Sequence, residues 1–327
     1  MLLISLVIVL DMTTDPLTEI VTLLQPAARA SKLVECAGAW RIRREGTGEP
    51  FYCAILEGQC RVTFGGRQTF ILQAGDFILA PAMRDLVNES SNATAHLPAT
   101  VPTKINKGHF RVGPHDGPPA LRMRIGHCSF GTPDAALLVS LLPDVILVRD
   151  KPRLGTLMQL IDEETQERRA AREPVLERLI EVLLIEALRS STDTNSAQGL
   201  GRGLGDERLS AALRAMHDRP GHPWTVVDLA KEAALSRSAF FARFNRIVGV
   251  APMEYLLTWR MALARQLLRS GDLAIDDVAE RVGYGSASTF SVAFARRTGI
   301  PPARYARMAA QNGEAGDNRL LRPLTEL

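Results

Sequence analysis

Cysteine is sparse: four in 327 residues are too few to staple a disulfide scaffold, and a reducing, cytoplasmic setting is the expectation. No stretch reaches the roughly 18–20 apolar residues of a membrane-spanning helix. Residues 1–10 read as the apolar core of a secretion signal, without a basic segment before it or a small-x-small cleavage site after it. Met12 opens an ordinary N-terminus, so translation is expected to begin there, with residues 1–15 as an extra segment. Catalytic signatures are missing as well. There is no Gly-x-Ser-x-Gly elbow, no phosphate-binding loop and no dinucleotide fingerprint; Gly201, Gly203 and Gly205 follow no strand.

Lysine is nearly absent from one block, and that block is where the positive charge sits. Residues 1–205 carry 22 Lys and Arg against 23 Asp and Glu, whereas residues 206–310 carry 15 against 10, with fourteen Arg to one Lys. Arginine forks suit phosphates and guanine edges, so this block is the nucleic-acid candidate. Residues 311–327 read as a tail.

Ser190 to Gly205 is small, polar and glycine-rich, and residues 191–205 read as a flexible linker. Ahead of it lie short strands closed by turns: 51–57, 59–64, 68–72 and 77–80, then 121–130, which argue a small barrel or sandwich. Residues 98–120 carry five prolines and are expected to be an irregular loop. Asp134 is placed to cap a helix over residues 135–142, and from Lys151 the apolar period becomes helical. Val182–Leu188 is apolar on more than one side and must be covered by its own barrel, by a second subunit, or by both.

Residues 206–310 contain an approximate repeat. In the first copy Thr225 caps one helix with Asp228 reaching back, Ala230 is small where helices cross, and Ser236 caps a second helix whose Phe240 and Phe244 face inward. Arg237, Ser238, Phe241, Ala242, Asn245 and Arg246 are left outward or flanking. The second copy repeats this with Ala279, Gly283 in a left-handed turn, Ser286 as cap, and Phe290 and Phe294 inward. A long helix over residues 253–268 with Tyr255 and Trp259 bridges the copies.

On these residues, above all the run from Val278 to Tyr305 with its Gly-Tyr, Phe-x-x-x-Phe, Gly-x-x-Pro and Arg-Tyr elements, the block resembles the DNA-binding domain of AraC/XylS transcription regulators. The resemblance implies a seven-helix domain with helix-turn-helix units at 225–246 and 275–297, set into successive major-groove turns about 34 Å apart. Carried over by position, the base-facing residues are Ser238, Phe241, Ala242 and Asn245 on the first recognition helix. On the second they are Ala287, Ser288, Ser291 and Val292. Family members often carry longer polar or basic residues where Ala242 and Val292 stand. Only Asn245 can make a paired hydrogen bond to a base, so the second helix is expected to position phosphates through Arg296, Arg297 and its serines.

Residues 16–190 resemble the cupin-like effector domain of one branch of that family, on Phe51–Gly58, Leu72–Pro81 and Gly126–Pro143. The slots that hold metal ligands in metal-binding cupins fall here near Arg44–Thr47, at Phe51 and at Leu86, and none holds His. No metal or cofactor is therefore expected. Cys53 and Cys60 on adjoining strands are small buried hydrophobes or, with Arg41, Arg43, Arg44 and Arg61 nearby, a redox pair. Phe51, Cys53, Phe64 and Phe77 are the expected lining of an effector pocket.

The expectation is an α+β chain of two domains: a cupin-like β-barrel with following helices, then an all-α double helix-turn-helix domain. It acts as a DNA-binding transcription regulator rather than an enzyme, an activator on the family resemblance. Its expected partners are double-stranded DNA, RNA polymerase, a small-molecule or redox signal and a second copy of itself, with no membrane. The alternative is a cupin-type metalloenzyme, a dioxygenase or isomerase, with a helical appendage.

Overall fold

The computed structural model describes residues 15–132, 135–167, 169–190 and 198–320. The signal-like segment, Met12 and the Asp134 cap lie outside them. The first helix, α1 (Pro16–Leu24), starts where the Asp15 carboxylate accepts the Thr18 amide at 3.2 Å. Ten strands follow: β1 (Pro26–Cys36), β2 (Arg41–Arg44), β3 (Phe51–Glu57), β4 (Gln59–Phe64), β5 (Gln68–Gln73), β6 (Phe77–Ala80), β7 (Leu86–Ser90), β8 (Thr103–Asn106), β9 (His109–Val112) and β10 (Leu121–Phe130). Then come α2 (Ala135–Val139), β11 (Ile146–Val148), α3 (Pro152–Gln166) and α4 (Arg172–Ser190).

One sheet runs β11-β6-β3-β10-β1-β9-β8 and the other β2-β7-β4-β5. Apolar side chains from both fill the space between them, among them Val34, Phe51 and Met123 from the first and Ile42, Val62 and Leu86 from the second. The central strands of the larger sheet are buried on both faces, because α3 and α4 pack on their outer side with α1 beside α4. Along β3, Phe51, Cys53 and Ile55 therefore point into the barrel while Tyr52 and Ala54 point to the helices, as the two-residue period of a strand requires.

The remaining helices are α5 (Leu200–Gly205), α6 (Leu209–Asp218), α7 (Val226–Glu232), α8 (Arg237–Val248), α9 (Pro252–Ser270), α10 (Ile275–Arg281), α11 (Ala287–Thr298) and α12 (Pro302–Leu320). Four expectations need correction. Residues 98–120 are not wholly irregular: they include β8 and β9, and β9 pairs in parallel with β1 from Leu33 opposite His109 to Cys36 opposite Val112. The helix expected over 135–142 ends at Val139, and the tail begins as a continuation of α12 to Leu320. The linker is not loose at its end. Gln198 donates to the Arg246 carbonyl at 3.1 Å, and Leu200 is fully buried. A side chain at Gly203 would sit 2.7 Å from Leu213 and 3.0 Å from Val248, so glycine is needed there for close approach of α5 to α6 and α8.

The barrel and the helical half share a core. One apolar cluster runs from α1, the outer sheet face and α4 through Leu200 into α6, α7, α8 and the first half of α9. At its centre His217 has a side chain with no solvent exposure, Nδ1 lying 2.6 Å from Glu19 Oε2 and Nε2 2.8 Å from Tyr255 Oη. Burial, and then the Glu19 charge, raise the Tyr255 phenol well above its usual range, so it remains a donor. A carboxylate only accepts, which places the proton on Nδ1 and lets Nε2 accept from Tyr255. The imidazole also stacks on Trp259 with centroids 4.1 Å apart. The second half of α9 belongs to a separate cluster with α10 and α11, where Met261, Leu268, Val278, Phe290 and Phe294 are buried.

The two helix-turn-helix corners close with the same backbone hydrogen bond, although the second has one more residue, Gly285, before its serine cap. Leu235 N–H bonds the Ala230 carbonyl at 2.9 Å, and Tyr284 N–H bonds the Ala279 carbonyl at 2.8 Å. The left-handed position is Gly283 at φ 82° in the second corner but Ala234 at φ 51° in the first. An L-residue there costs roughly 1–2 kcal/mol, partly offset by the smaller unfolded-state entropy of Ala. We expect Ala234→Gly to raise stability by up to about 1 kcal/mol in urea unfolding. Gly283→Ala is expected to lower it by more than about 1 kcal/mol, because its Cβ would also lie 2.6 Å from Arg260 Nη2 and 2.8 Å from the Gly221 carbonyl. Equal effects of the two changes would show that the corners are not built alike.

Candidate nucleic-acid interface and sensor cavity

Both expected recognition helices are capped and anchored as their sequences require. Ser236 Oγ accepts the Ala239 amide at 3.3 Å, and Ser286 Oγ accepts the Thr289 amide at 3.2 Å. Phe240, Phe244, Phe290 and Phe294 have no exposed surface and clamp one face of each helix to the domain. What remains outward on α8 is Arg237, Ser238, Phe241, Ala242, Asn245 and Arg246, all exposed. On α11, Ser288, Val292, Arg296 and Arg297 are exposed, whereas Ala287 and Ser291 are half-buried.

Ion pairing divides the arginines of the helical half. Arg243 forks onto Asp206, Nη2 reaching Oδ2 at 2.7 Å, while Asp206 also accepts the Leu209 amide at the start of α6. Partial burial opposes ionisation of that carboxyl, but Arg243 and two backbone amides outweigh it and hold it below its ordinary value. Arg260 is bound to the carbonyls of Pro220 and His222, both at 2.7 Å, and Arg219 pairs with Glu232 and lies over the Trp224 ring. Arg237, Arg246, Arg296 and Arg297 form no ion pair among the described residues. Beside α11 an open groove of about 930 Å³ is lined by Leu257, Tyr284, Ser288, Val292, Arg296 and Arg297 among others. Its Val292 is 71% exposed, so an apolar methyl stands where the resemblance has a longer polar side chain.

The barrel contains a second feature, a cavity of about 220 Å³ between the sheets. Its floor is buried Val34, Ile42, Phe51, Leu86, Asn88, Met123 and Ile125, and half-buried Lys32, Arg44, Pro102 and Phe110 form its mouth. Arg44, Phe51 and Leu86, far apart in sequence, meet here; the cupin resemblance puts its ligand slots near Arg44–Thr47, at Phe51 and at Leu86. Among the described residues no His, Cys, Asp or Glu cluster could hold a metal. Of the expected lining only Phe51 is in place. Cys53 and Phe64 pack in the barrel core away from the cavity wall, and Phe77 points to the opposite face of its sheet, against the helices.

Sequence reasoning missed Lys32, Arg44 and Asn88 as cavity residues. Lys32 lies over the Phe110 ring at 5.5 Å and has no carboxylate within ion-pair distance among the described residues. Burial, then Arg44, push its ammonium down to about 8. His127 nearby is pushed down to about 4 by burial, then by Lys32 and Arg44. The mouth is kept in shape by Arg41, which is buried, pairs with Glu89 at 2.7 Å and donates to the carbonyls of Thr94, Ala95 and Leu97. It thereby pins the segment that leads to Pro102.

All four cysteines are buried and unpaired with one another. Burial raises the thiols of Cys36 and Cys53 well above their ordinary range, and burial followed by the Asp76 charge pushes Cys60 up to about 12. A sensing thiol needs the opposite: exposure and a lowered pKa. We expect no thiol of the native protein to react with Ellman's reagent over minutes at pH 8, and all four to react after unfolding in guanidinium. Rapid modification of one thiol in the native state would restore the redox reading.

Residues 15–193 match the family described as Cupin, and residues 229–308 match the family described as helix-turn-helix domain. An AraC-like transcription regulator of Streptomyces lividans is 34% identical over 299 residues, which span 89% of this chain and 97% of that protein. An HTH-type transcriptional regulator of Haemophilus influenzae is 30% identical over 300 residues, again 89% of this chain and 98% of that one. The solved DNA-binding domain of AdpA, in complex with a target DNA, is 30% identical and overlaps 33% of this chain and 96% of its own, with a TM-score of 0.32. The chain belongs to the AraC-like transcription regulators, with a cupin domain ahead of a helix-turn-helix DNA-binding domain.

Proposed function

We propose that this regulator reads DNA with α8 and α11 as unequal heads, and that a small molecule entering the barrel controls it. The observation that carries the reading is the sorting of arginines. Arg219 and Arg243 pair with carboxylates and Arg260 with carbonyls, whereas Arg237, Arg246, Arg296 and Arg297 flank the two outward faces without an ion pair among the described residues. Unpaired guanidiniums suit phosphates, which position a protein without specifying sequence. Asn245, exposed on α8, can accept from N6–H and donate to N7 on the major-groove edge of an adenine, and Phe241, 46% exposed, suits a thymine methyl. On α11 the serines and Val292 offer little donor or acceptor pattern.

The barrel is proposed to sense rather than catalyse, since Arg44, Phe51 and Leu86 stand at the slots of catalytic metal ligands. The protein is proposed to work in the cytoplasm as an activator that contacts RNA polymerase, on the family resemblance. Among the described residues no helix is long and apolar enough to cross a membrane. A homodimer is proposed to form through the outer face of α3 and α4. Most of the apolar excess of α4 is covered inside the chain, but Leu160, Val175 and Val182 are 43%, 42% and 36% exposed there. A dimer presents two readers to two half-sites and multiplies affinity.

With full-length protein and operators selected from random DNA, Asn245→Ala should relax preference by about 1–3 kcal/mol at one or two adjacent base pairs. A uniform fall across all operator variants would instead indicate recognition by shape and phosphates alone. The Arg296→Ala/Arg297→Ala protein should lose about 0.9 from the slope of log K against log salt for each phosphate contact removed, with its base preference intact. An unchanged slope would place α11 away from the DNA backbone. Val182→Glu should shift sedimentation from dimer to monomer; a wild-type protein that is already monomeric at micromolar concentration would remove the dimer from the reading.

A further inference from the structure

The cavity between the sheets has a chemistry of its own. Two cations stand at its mouth, and neither Lys32 nor Arg44 forms an ion pair among the described residues. Holding like charges together in a half-buried rim is unfavourable unless an anion arrives, and the lowered lysine and histidine record that positive field. Phe110 stands at the rim beside Lys32, and behind it the wall is apolar, with Phe51, Met123 and Ile125 among its residues. One polar group interrupts it. Asn88 is 4% exposed, and its side-chain oxygen has no hydrogen-bond partner, an unusual state for a buried acceptor.

We propose that this cavity is the binding site of a small organic anion, a carboxylate on a single ring, held by Lys32 and Arg44 with its ring on Phe51 and Phe110 and a ring hydroxyl directed to Asn88. The proposal rests on the reading of the barrel as a sensor and names what it senses. Size and wall chemistry exclude the neighbouring classes. A cavity of about 220 Å³ has room for about seven waters at their liquid volume of about 30 Å³ each. That matches one ring with its substituents and is too small for a long acyl chain. A sugar would need polar partners around its circumference, and apart from the two cations the lining offers Asn88 alone. An inorganic anion would leave the apolar floor empty. Charge-assisted hydrogen bonds to a carboxylate are about twice as strong as neutral ones, so the two cations should discriminate sharply against uncharged isosteres.

The test is calorimetric titration of the full-length protein at pH 7 with benzoate, 3- and 4-hydroxybenzoate, phenylacetate and cyclohexanecarboxylate, each beside its carboxamide. At least one acid should bind saturably, with its amide tenfold weaker or worse. Lys32→Met and Arg44→Met should each weaken that acid at least tenfold. Leu86→Trp, which fills the cavity and leaves both cations in place, should abolish binding and so separate the cavity from surface attraction. Thermal melting of each variant confirms that it is folded; if Lys32→Met fails to fold, Arg44→Met and Leu86→Trp carry the test. Absence of binding by every acid overturns the proposal. So does equal binding of acid and amide, or binding that survives Leu86→Trp. Operator affinity measured on the same samples keeps the two readings apart. An acid that binds the cavity without changing operator affinity leaves the anion site standing and removes the sensor. An amide that binds equally and changes operator affinity does the reverse.

Discussion

A buried imidazole joins the two halves of this protein. His217 sits on α6 of the helical half, receives the Tyr255 hydroxyl from α9 and gives its own proton to Glu19 on α1 of the barrel half. His217 and Tyr255 are fully enclosed and cannot exchange their partners for water, so they hold the partly exposed Glu19 carboxylate in register. Leaving one such group unsatisfied costs about 1–3 kcal/mol, which makes the trio an all-or-none contact rather than a sliding one. Because Tyr255 and the stacked Trp259 are both on α9, the contact is made to the helix that carries both reading units.

That helix divides the cores unequally. Its first half lies in the cluster shared with the barrel, so α7 and α8 are built on the same apolar ground as the sensor. Its second half closes over α10 and α11 in a cluster of their own, touched from the barrel side by Leu137. A displacement of α1 or α4 is thus felt directly beneath the first unit and reaches the second through α9 and through Leu137 of α2. The polar inventory of the two recognition helices runs the same way: the unit welded to the barrel is the one that holds Asn245, and the outlying unit holds serines, Val292 and free arginines.

Local signals carried the helical half well. Caps act over three residues and the inward phenylalanines over four, so Ser236, Ser286 and the two Phe pairs declared their roles in the primary structure, as did the alternation of 59–64. What stayed hidden depends on distance or on symmetry. Phe77 lies on a strand buried on both faces, where period two no longer says which face is the cavity. The Ala- and Lys-containing β1 has none of the β-branched density that marks a strand, and β8 and β9 are only four residues each between prolines. Lys32 lies on one sheet and Arg44 and Asn88 on the other, so they meet only when the two sheets pack face to face. Glu19 and His217 are 198 positions apart and leave no local trace at all.

Glycine-rich chain next to the boundary misled for a different reason. In Leu200–Gly205 the small residues are present so that a short helix can lie against Leu213 and Val248, while Leu200 itself is fully enclosed. The consequence concerns modularity. A chimera that exchanged sensors by cutting at Gly205 would sever a continuous hydrophobic core and strip α6 of its cover. The barrel and the helical half of this chain share one core, and transplanting either one requires carrying α5, and the face of α1 that meets His217, along with it.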